Sequence, residues 1–192
     1  MSRVRTTQRK LKDALLRLMQ VQPLNQITIS QLTKEAGVHR STYYYYYYLI
    51  EDVLGAIVDE TMQQLQFAIK RPYENVKQIA INDEVLPSSV ELFTHIYERK
   101  EYYALLLNKE RGLVFQNRLV DVLFELFQTH FTPAVIHGGA DWGEEQSMYS
   151  VYGILGLIKL WAEHDFQRTP QEMALQLTAI LNTRLQIIET NL

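Results

Sequence analysis

The sequence predicts an all-α fold. Apolar residues recur three and four positions apart along nearly the whole chain, and no stretch alternates with the period of two that a half-buried strand requires. Helix start and stop signals punctuate these stripes at intervals of one helix length, at Thr28, Gly37, Pro72, Ser88, Gly112, Pro133, Asp141 and Thr169. A hydrophobic content of 47% over 192 residues is enough for a folded core and excludes a disordered chain.

Taken in order, Leu11, Ala14, Leu15, Leu18 and Met19 form the stripe of a first helix from about Arg5 to Val21, which Pro23 ends. Thr28 and Gln31 occupy the two positions of a capping box, and Ile29, Leu32 and Ala36 lie on one face of the helix it opens. Gly37 follows, where a left-handed turn costs no Cβ clash; Val38 can plug the corner, and a second short helix begins near Arg40. Two short helices joined by so tight a corner make a helix-turn-helix, the unit that sets its second helix into the major groove of DNA. From Glu51, the positions Leu54, Ile57, Val58, Met62, Leu65 and Ile69 mark a connecting helix to about Lys70.

Beyond it, a short helix is expected around Glu74 to Asn82. Ser88 to Glu91 reads as a capping box opening a helix with Phe93, Ile96 and Tyr97, which continues or bends into Glu101 to Leu107. Leu119, Val122, Leu123, Leu126 and Phe127 define a helix ending near Phe131, with a loop over 133–139. Asp141 with Glu144 caps a helix that is apolar almost all round, from Met148 to Trp161, and such a helix needs cover on more than one side. Thr169, Pro170 and Glu172 open a last helix to about Thr190. Gly153 and Gly156 would let a neighbouring helix approach closely.

Charge is divided unevenly. Residues 1–50 carry eight basic against two acidic side chains, a balance of +6, while the remainder carries eleven against twenty, or −9. A basic front on an acidic body fits a protein that touches phosphates at one end, although a solvated basic arm reads the same way; Arg3, Arg5 and Arg9 either reach the DNA backbone or lie in solvent. There are no cysteines, which excludes a disulfide scaffold and cysteine-based metal or redox chemistry. No apolar run reaches the length of a membrane span, so a cytoplasmic protein without a membrane partner is expected. His39, His95, His130, His137 and His164 show no metal-ligand spacing, and there is no Gly-rich phosphate loop, HExxH or GxSxG. No catalytic residue, metal or cofactor is expected, and the chain does not read as an enzyme.

Six successive tyrosines, Tyr43 to Tyr48, cannot share one helical face. Tyr43 and Tyr47, four apart, fall inward; Thr42, Tyr45 and Tyr46 point outward together.

The run from Thr28 to Leu54, with Ala36-Gly37-Val38, Thr42, Tyr44, an aromatic at Tyr47 and Glu51-Asp52-Val53-Leu54, resembles the DNA-binding domain of the tetracycline-repressor (TetR) family over roughly residues 5 to 70. The resemblance implies a helix-turn-helix DNA-binding domain over residues 1–50, a connecting helix over about 51–70, and an effector-binding and dimerisation domain over 71–192. It implies DNA contacts from Thr28, His39, Arg40, Thr42, Tyr44, Tyr45 and Tyr46. Tyr44 matches the family's recurrent tyrosine, Tyr45 a base-reading position, and Tyr46 the place of a phosphate-binding histidine; His39 stands where a serine N-cap is more usual. The family's lysine at the start of the fourth helix is replaced by Ile50, after Leu49, so an ionic anchor beside the DNA backbone is expected to be missing.

The resemblance further implies a homodimer through the last two helices, a double-stranded DNA operator and a small-molecule effector. FTHIYERKEYYALLL is similar to a TetR subgroup that includes regulators of dihydroxyacetone kinase operons. Tyr97, Tyr102, Tyr103, Phe115, Trp142 and Tyr149 either line an apolar effector pocket or form the core. A second reading keeps the fold but makes the chain a non-enzymatic interaction protein that binds another regulator, motivated by Leu49 and Ile50.

Overall fold

A computed structural model describes residues 3–74, 86–107, 113–130 and 143–182. All regular structure among them is helical: α1 (Arg3–Val21), α2 (Ile29–Ala36), α3 (Arg40–Tyr46), α4 (Ile50–Lys70), α5 (Pro87–Glu98), α6 (Lys100–Leu106), α7 (Leu113–His130), α8 (Gly143–Glu163) and α9 (Pro170–Asn182), with short 3-10 turns at Leu24–Gln26 and Arg71–Tyr73. The short helix expected around Glu74–Asn82, the loop over 133–139, the Asp141 cap and the end of the last helix beyond residue 182 lie outside the described residues.

α1 lays Leu11, Ala14, Leu15 and Met19 into a core closed by Leu32 and Ala36 of α2, Tyr43 of α3, and Tyr47, Ile50 and Val53 at the start of α4. Two ion pairs tie α1 outward, Arg17 to Glu35 of α2 at 2.7 Å and Lys12 to Glu60 of α4 at 2.6 Å. α4 carries this core on, without a break, into the C-terminal helices. It buries Ile57, Val58, Met62, Leu65 and Ile69, and packs on α1 at one end and on α5 and α7 along the rest. α5 packs on α9 and α7 on α8, while α6 reaches both α8 and α1. The end of the chain bearing α1 to α3 is therefore joined to the rest through α4 and α6.

The Ser88–Glu91 capping box does not form. α5 begins two residues earlier, with Pro87 at its first position, and Ser88 lies inside the helix and buried. The Ser88 N–H donates to the phenol oxygen of Tyr73 at 3.2 Å, and that phenol donates to Ser88 Oγ at 3.0 Å, so a side chain from the preceding turn caps the helix. Glu91 pairs instead with Arg71 at 2.7 Å. The continuing stripe bends at Arg99, which separates α5 from α6. At α9 the expected box is complete: Glu172 N–H donates to Thr169 Oγ1 at 3.2 Å and Thr169 N–H to Glu172 Oε2 at 2.7 Å, holding the Glu172 carboxyl below its usual range. Between α8 and α9, Asp165 and Phe166 both adopt positive φ, 52° and 53°, which turns Phe166 into the core against Trp161.

Among the described residues no helix is long and apolar enough to cross a membrane, and no group of three or more His, Cys, Asp or Glu could hold a metal ion.

Candidate nucleic-acid interface

The corner between α2 and α3 is built locally. Thr28 Oγ1 accepts from Gln31 N–H at 3.2 Å while Gln31 Oε1 accepts from Thr28 N–H at 2.8 Å, which satisfies donors at the start of α2 from both sides. Gly37 takes φ 62°, and Val38 N–H then donates back to Thr33 O at 3.0 Å, closing the helix end and turning the chain. Val38 packs against the core. His39 caps α3: its Nδ1 accepts from Ser41 N–H at 3.3 Å and lies 2.7 Å from Ser41 Oγ, so this imidazole does the work of a serine cap.

α3 is anchored by its inner face. Tyr43 is fully buried, and its phenol is pushed up to about 12 by burial, with the charge of Asp52 adding to it. Its ring meets Tyr44 edge-on at 5.4 Å and lies 6.2 Å from Tyr47, also buried. The tyrosine run is not one helix. α3 ends at Tyr46; Tyr47 is extended, with φ −142° and ψ 143°, and α4 starts three residues later, with Asp52 Oδ2 accepting from the N–H groups of Tyr48 and Leu49 at 3.0 and 2.8 Å.

The outer face carries Arg40, Tyr44 and Tyr45 as one exposed ridge, with Tyr45 at 79% exposure. Arg40 Nη2 donates to Tyr44 Oη at 3.0 Å, and its guanidinium carbon stands 5.5 Å from the same ring centroid. Tyr46 does not stand out beside Tyr45 as expected. It is half-buried, meets Tyr45 edge-on at 4.8 Å, and with Gly37, Val38, His39 and Thr42 lines one wall of a cleft of about 470 Å³ whose other wall is Thr7 and Lys10 of α1. Thr28 is exposed at the start of α2, its hydroxyl engaged with Gln31. Lys10 and Lys34 are exposed and have no carboxylate partner among the described residues, whereas Arg9 faces Asp13 at 3.7 Å.

Ile50, like Tyr46, stands differently from its sequence reading. Ile50 does not sit at the surface beside a DNA backbone: it is 8% exposed and part of the core, where the extended backbone at Tyr47 and Leu49 leads into an α4 that packs on α1. Leu49 instead is exposed. Thr7 and Lys10 were not singled out, although their three-residue spacing on the flank of the Leu11 stripe was a usable signal.

Residues 83–183 match a TetR-type family model described as transcriptional regulator C-terminal region. The chain belongs to the TetR family of transcriptional regulators. Solved structures of this family's fold superpose on nearly the full length. The dihydroxyacetone kinase operon activator DhaS covers 91% of this chain and 93% of its own at 15% identity and a TM-score of 0.62. A TetR transcriptional regulator from Streptococcus agalactiae covers 93% and 94% at 16% identity and a TM-score of 0.60. The fatty acid degradation regulator FadR from Bacillus halodurans covers 94% and 96% at 16% identity and a TM-score of 0.67. No curated protein matches the chain. At these identities the likeness carries the fold, and membership of the family implies DNA binding.

Proposed function

We propose that this TetR-family regulator is a homodimer that binds two DNA half-sites about one helical turn apart through α3, and changes its affinity when a small molecule binds the C-terminal part. The observation that carries the DNA reading is the division of α3 between a buried anchor, Tyr43, and an outward ridge of Arg40, Tyr44 and Tyr45. A helix held rigidly by one face and polar-aromatic on the other is what base reading requires. In this reading Arg40 and Tyr45 contact base edges and Tyr44 sets the Arg40 fork. His39, Thr42 and Tyr46 border the cleft that takes the phosphate backbone, with Lys10 supplying charge. Thr28 meets the backbone from the start of α2.

Dimerisation is supported by the outer faces of α8 and α9, where Tyr149, Tyr152, Leu160, Leu175 and Ile180 are exposed together with Gly153 and Gly156. The division into a DNA-binding unit over 1–50, a connecting helix and an effector and dimerisation unit over 71–192 belongs to the same proposal, as do a cytoplasmic location and the absence of enzymatic activity.

A second reading, an interaction protein of the same fold that binds another regulator, draws on the exposed Tyr45, Tyr48 and Leu49, an aromatic and apolar edge suited to a protein surface. Selection of genomic fragments by the purified protein, followed by mobility shift with Arg40→Ala and Tyr45→Ala, separates the two. Recovery of one sequence class that both variants lose supports the operator reading; failure to retain any fragment over background removes it.

A further inference from the structure

Each base presents its own edge in the major groove, and side chains match these edges by chemistry. Asn or Gln pairs with adenine, Asp or Glu accepts from cytosine, Arg makes a two-pronged contact to guanine, and apolar groups meet the thymine methyl. α3 has the sequence RSTYYYY, with no Asn, Gln, Asp or Glu. The adenine and cytosine contacts are therefore closed to it.

Most of the side chains that α3 does have are already engaged. Tyr43 is fully buried, and Ser41 Oγ lies 2.7 Å from His39 Nδ1. Thr42 and Tyr46 are half-buried along the cleft that faces Thr7 and Lys10 of α1. Tyr44 accepts from Arg40 Nη2 at 3.0 Å, which uses one guanidinium hydrogen, narrows the directions of the fork and leaves a parallel pair for a base. Arg40 and Tyr45 remain. Tyr45 is 79% exposed, yet its ring is braced: it meets the Tyr46 ring edge-on at 4.8 Å, and Tyr46 packs against the core. The Tyr45 phenol oxygen can donate or accept, so it suits any base edge and discriminates none. Its ring offers a fixed apolar surface, and in the major groove the C5-methyl of thymine is the group that such a surface selects.

We propose that α3 reads two bases in each half-site, a guanine through the Arg40 fork and a thymine through its C5-methyl packed on the Tyr45 ring. This rests on reading α3 as the helix that enters the DNA. The two residues stand five positions apart on α3, about 7.5 Å along its axis. Stacked base pairs are separated by about 3.4 Å, so the two contacts fall on different base pairs and their losses add. Each reader is held by a neighbouring tyrosine, Arg40 by Tyr44 and Tyr45 by Tyr46, which gives the phenols outside the buried pair a role in aiming the contacts.

The test uses the full chain and a duplex recovered by selection from genomic fragments, resynthesised with one analogue at a time. Uracil in place of thymine removes only the methyl, and 7-deazaguanine in place of guanine removes only the N7 acceptor. One thymine position in each half-site should lose about fourfold in affinity with uracil, the value of one buried methyl. One guanine position, at a different base pair, should lose about tenfold or more with 7-deazaguanine. The uracil loss should vanish in Tyr45→Ala and persist in Tyr45→Phe, which keeps the ring; the 7-deazaguanine loss should vanish in Arg40→Ala. The proposal is overturned if uracil weakens binding at no position, if either loss persists in the corresponding alanine variant, or if Tyr45→Phe behaves like Tyr45→Ala, which would make the phenol the reader. A protein that selects DNA but ignores both analogues removes this assignment and leaves the operator reading standing. A protein that selects no DNA removes both.

Discussion

Arg40 and Tyr44, one turn apart on α3, form a single unit: Nη2 of the arginine donates to the tyrosine oxygen at 3.0 Å, and the guanidinium carbon lies 5.5 Å from the ring centroid. Both side chains are exposed, so the contact contributes little to folding and mainly narrows the directions in which the guanidinium can point. Arg40→Ala should cost about 1–3 kcal/mol per half-site in specific DNA binding while leaving the melting temperature close to that of the parent. Arg40→Lys should not restore it, since an ammonium cannot make the two-pronged contact. Tyr44→Phe should show an intermediate loss. A mobility-shift titration at fixed salt reads all three, and equal affinities across the set would place the DNA-reading face elsewhere.

The turn before α3 is where local sequence acts most directly on stability. Gly37 has φ 62°, so Gly37→Ala forces a Cβ into the left-handed region at a cost of about 1–2 kcal/mol, even though no heavy atom stands within 4 Å of the added carbon. Thr28→Ala should cost about 1 kcal/mol through loss of the cap. Urea midpoints should fall in both variants with an unchanged slope.

These two features were legible because each depends on residues within one turn of the chain. The stripes on α1 and α4, the Thr28–Gln31 and Thr169–Glu172 boxes and the inward pairing of Tyr43 with Tyr47 follow from spacing alone. Where sequence reading failed, the deciding atom came from a distant residue. Ser88 looked like a cap until the Tyr73 phenol, fifteen residues earlier, supplied one. Tyr46 looked exposed until Thr7 and Lys10 of α1 closed a cleft beside it. Ile50 looked like a surface position because it matches a lysine of the family, whereas the start of α4 buries it in the core.

Ile50 now carries an expectation opposite to the one its alignment with a lysine gives. Its side chain is enclosed in the core, so Ile50→Lys buries an ammonium without a partner or pulls the start of α4 away from α1. A loss of about 3 kcal/mol or more and a clear drop in melting temperature are expected, with no gain in DNA affinity at low salt. A lysine variant that melts like the parent and binds DNA more tightly would show that position 50 reaches the surface.

His95 should give the protein a pH dependence of known sign. Its folded value is lowered to about 4 against about 6.5 for a free imidazole, so between these values the unfolded chain binds a proton that the folded chain does not. Stability is therefore complete above about pH 6.5 and is lost as pH falls toward 4, by up to about 3 kcal/mol over the whole window. Urea unfolding near pH 7 and pH 5 should show the parent losing about 2 kcal/mol more than His95→Phe. Identical pH profiles for the two would mean that His95 titrates freely.

Gly153 offers a test of the dimer that leaves the monomer intact. It is exposed on α8 between Tyr149, Tyr152, Gly156 and Leu160, and nothing in its own chain lies within 4 Å of a Cβ built there. Gly153→Leu therefore sets its Cβ in open space on an exposed face and gains about 1 kcal/mol in helix propensity. If a partner helix crosses close over the two glycines, the same leucine is driven into its backbone. Light scattering should show the parent as a dimer at micromolar concentration and Gly153→Leu dissociating at concentrations at least about tenfold higher, a change of about 1.4 kcal/mol. Tyr149→Ala and Tyr152→Ala, which remove exposed rings without adding bulk, should weaken the dimer as well, since aromatic anchors carry much of the energy of such contacts. A parent that is monomeric would leave this apolar face uncovered and remove the two-half-site operator with it. A dimer indifferent to all three substitutions would place the interface on another face of the chain.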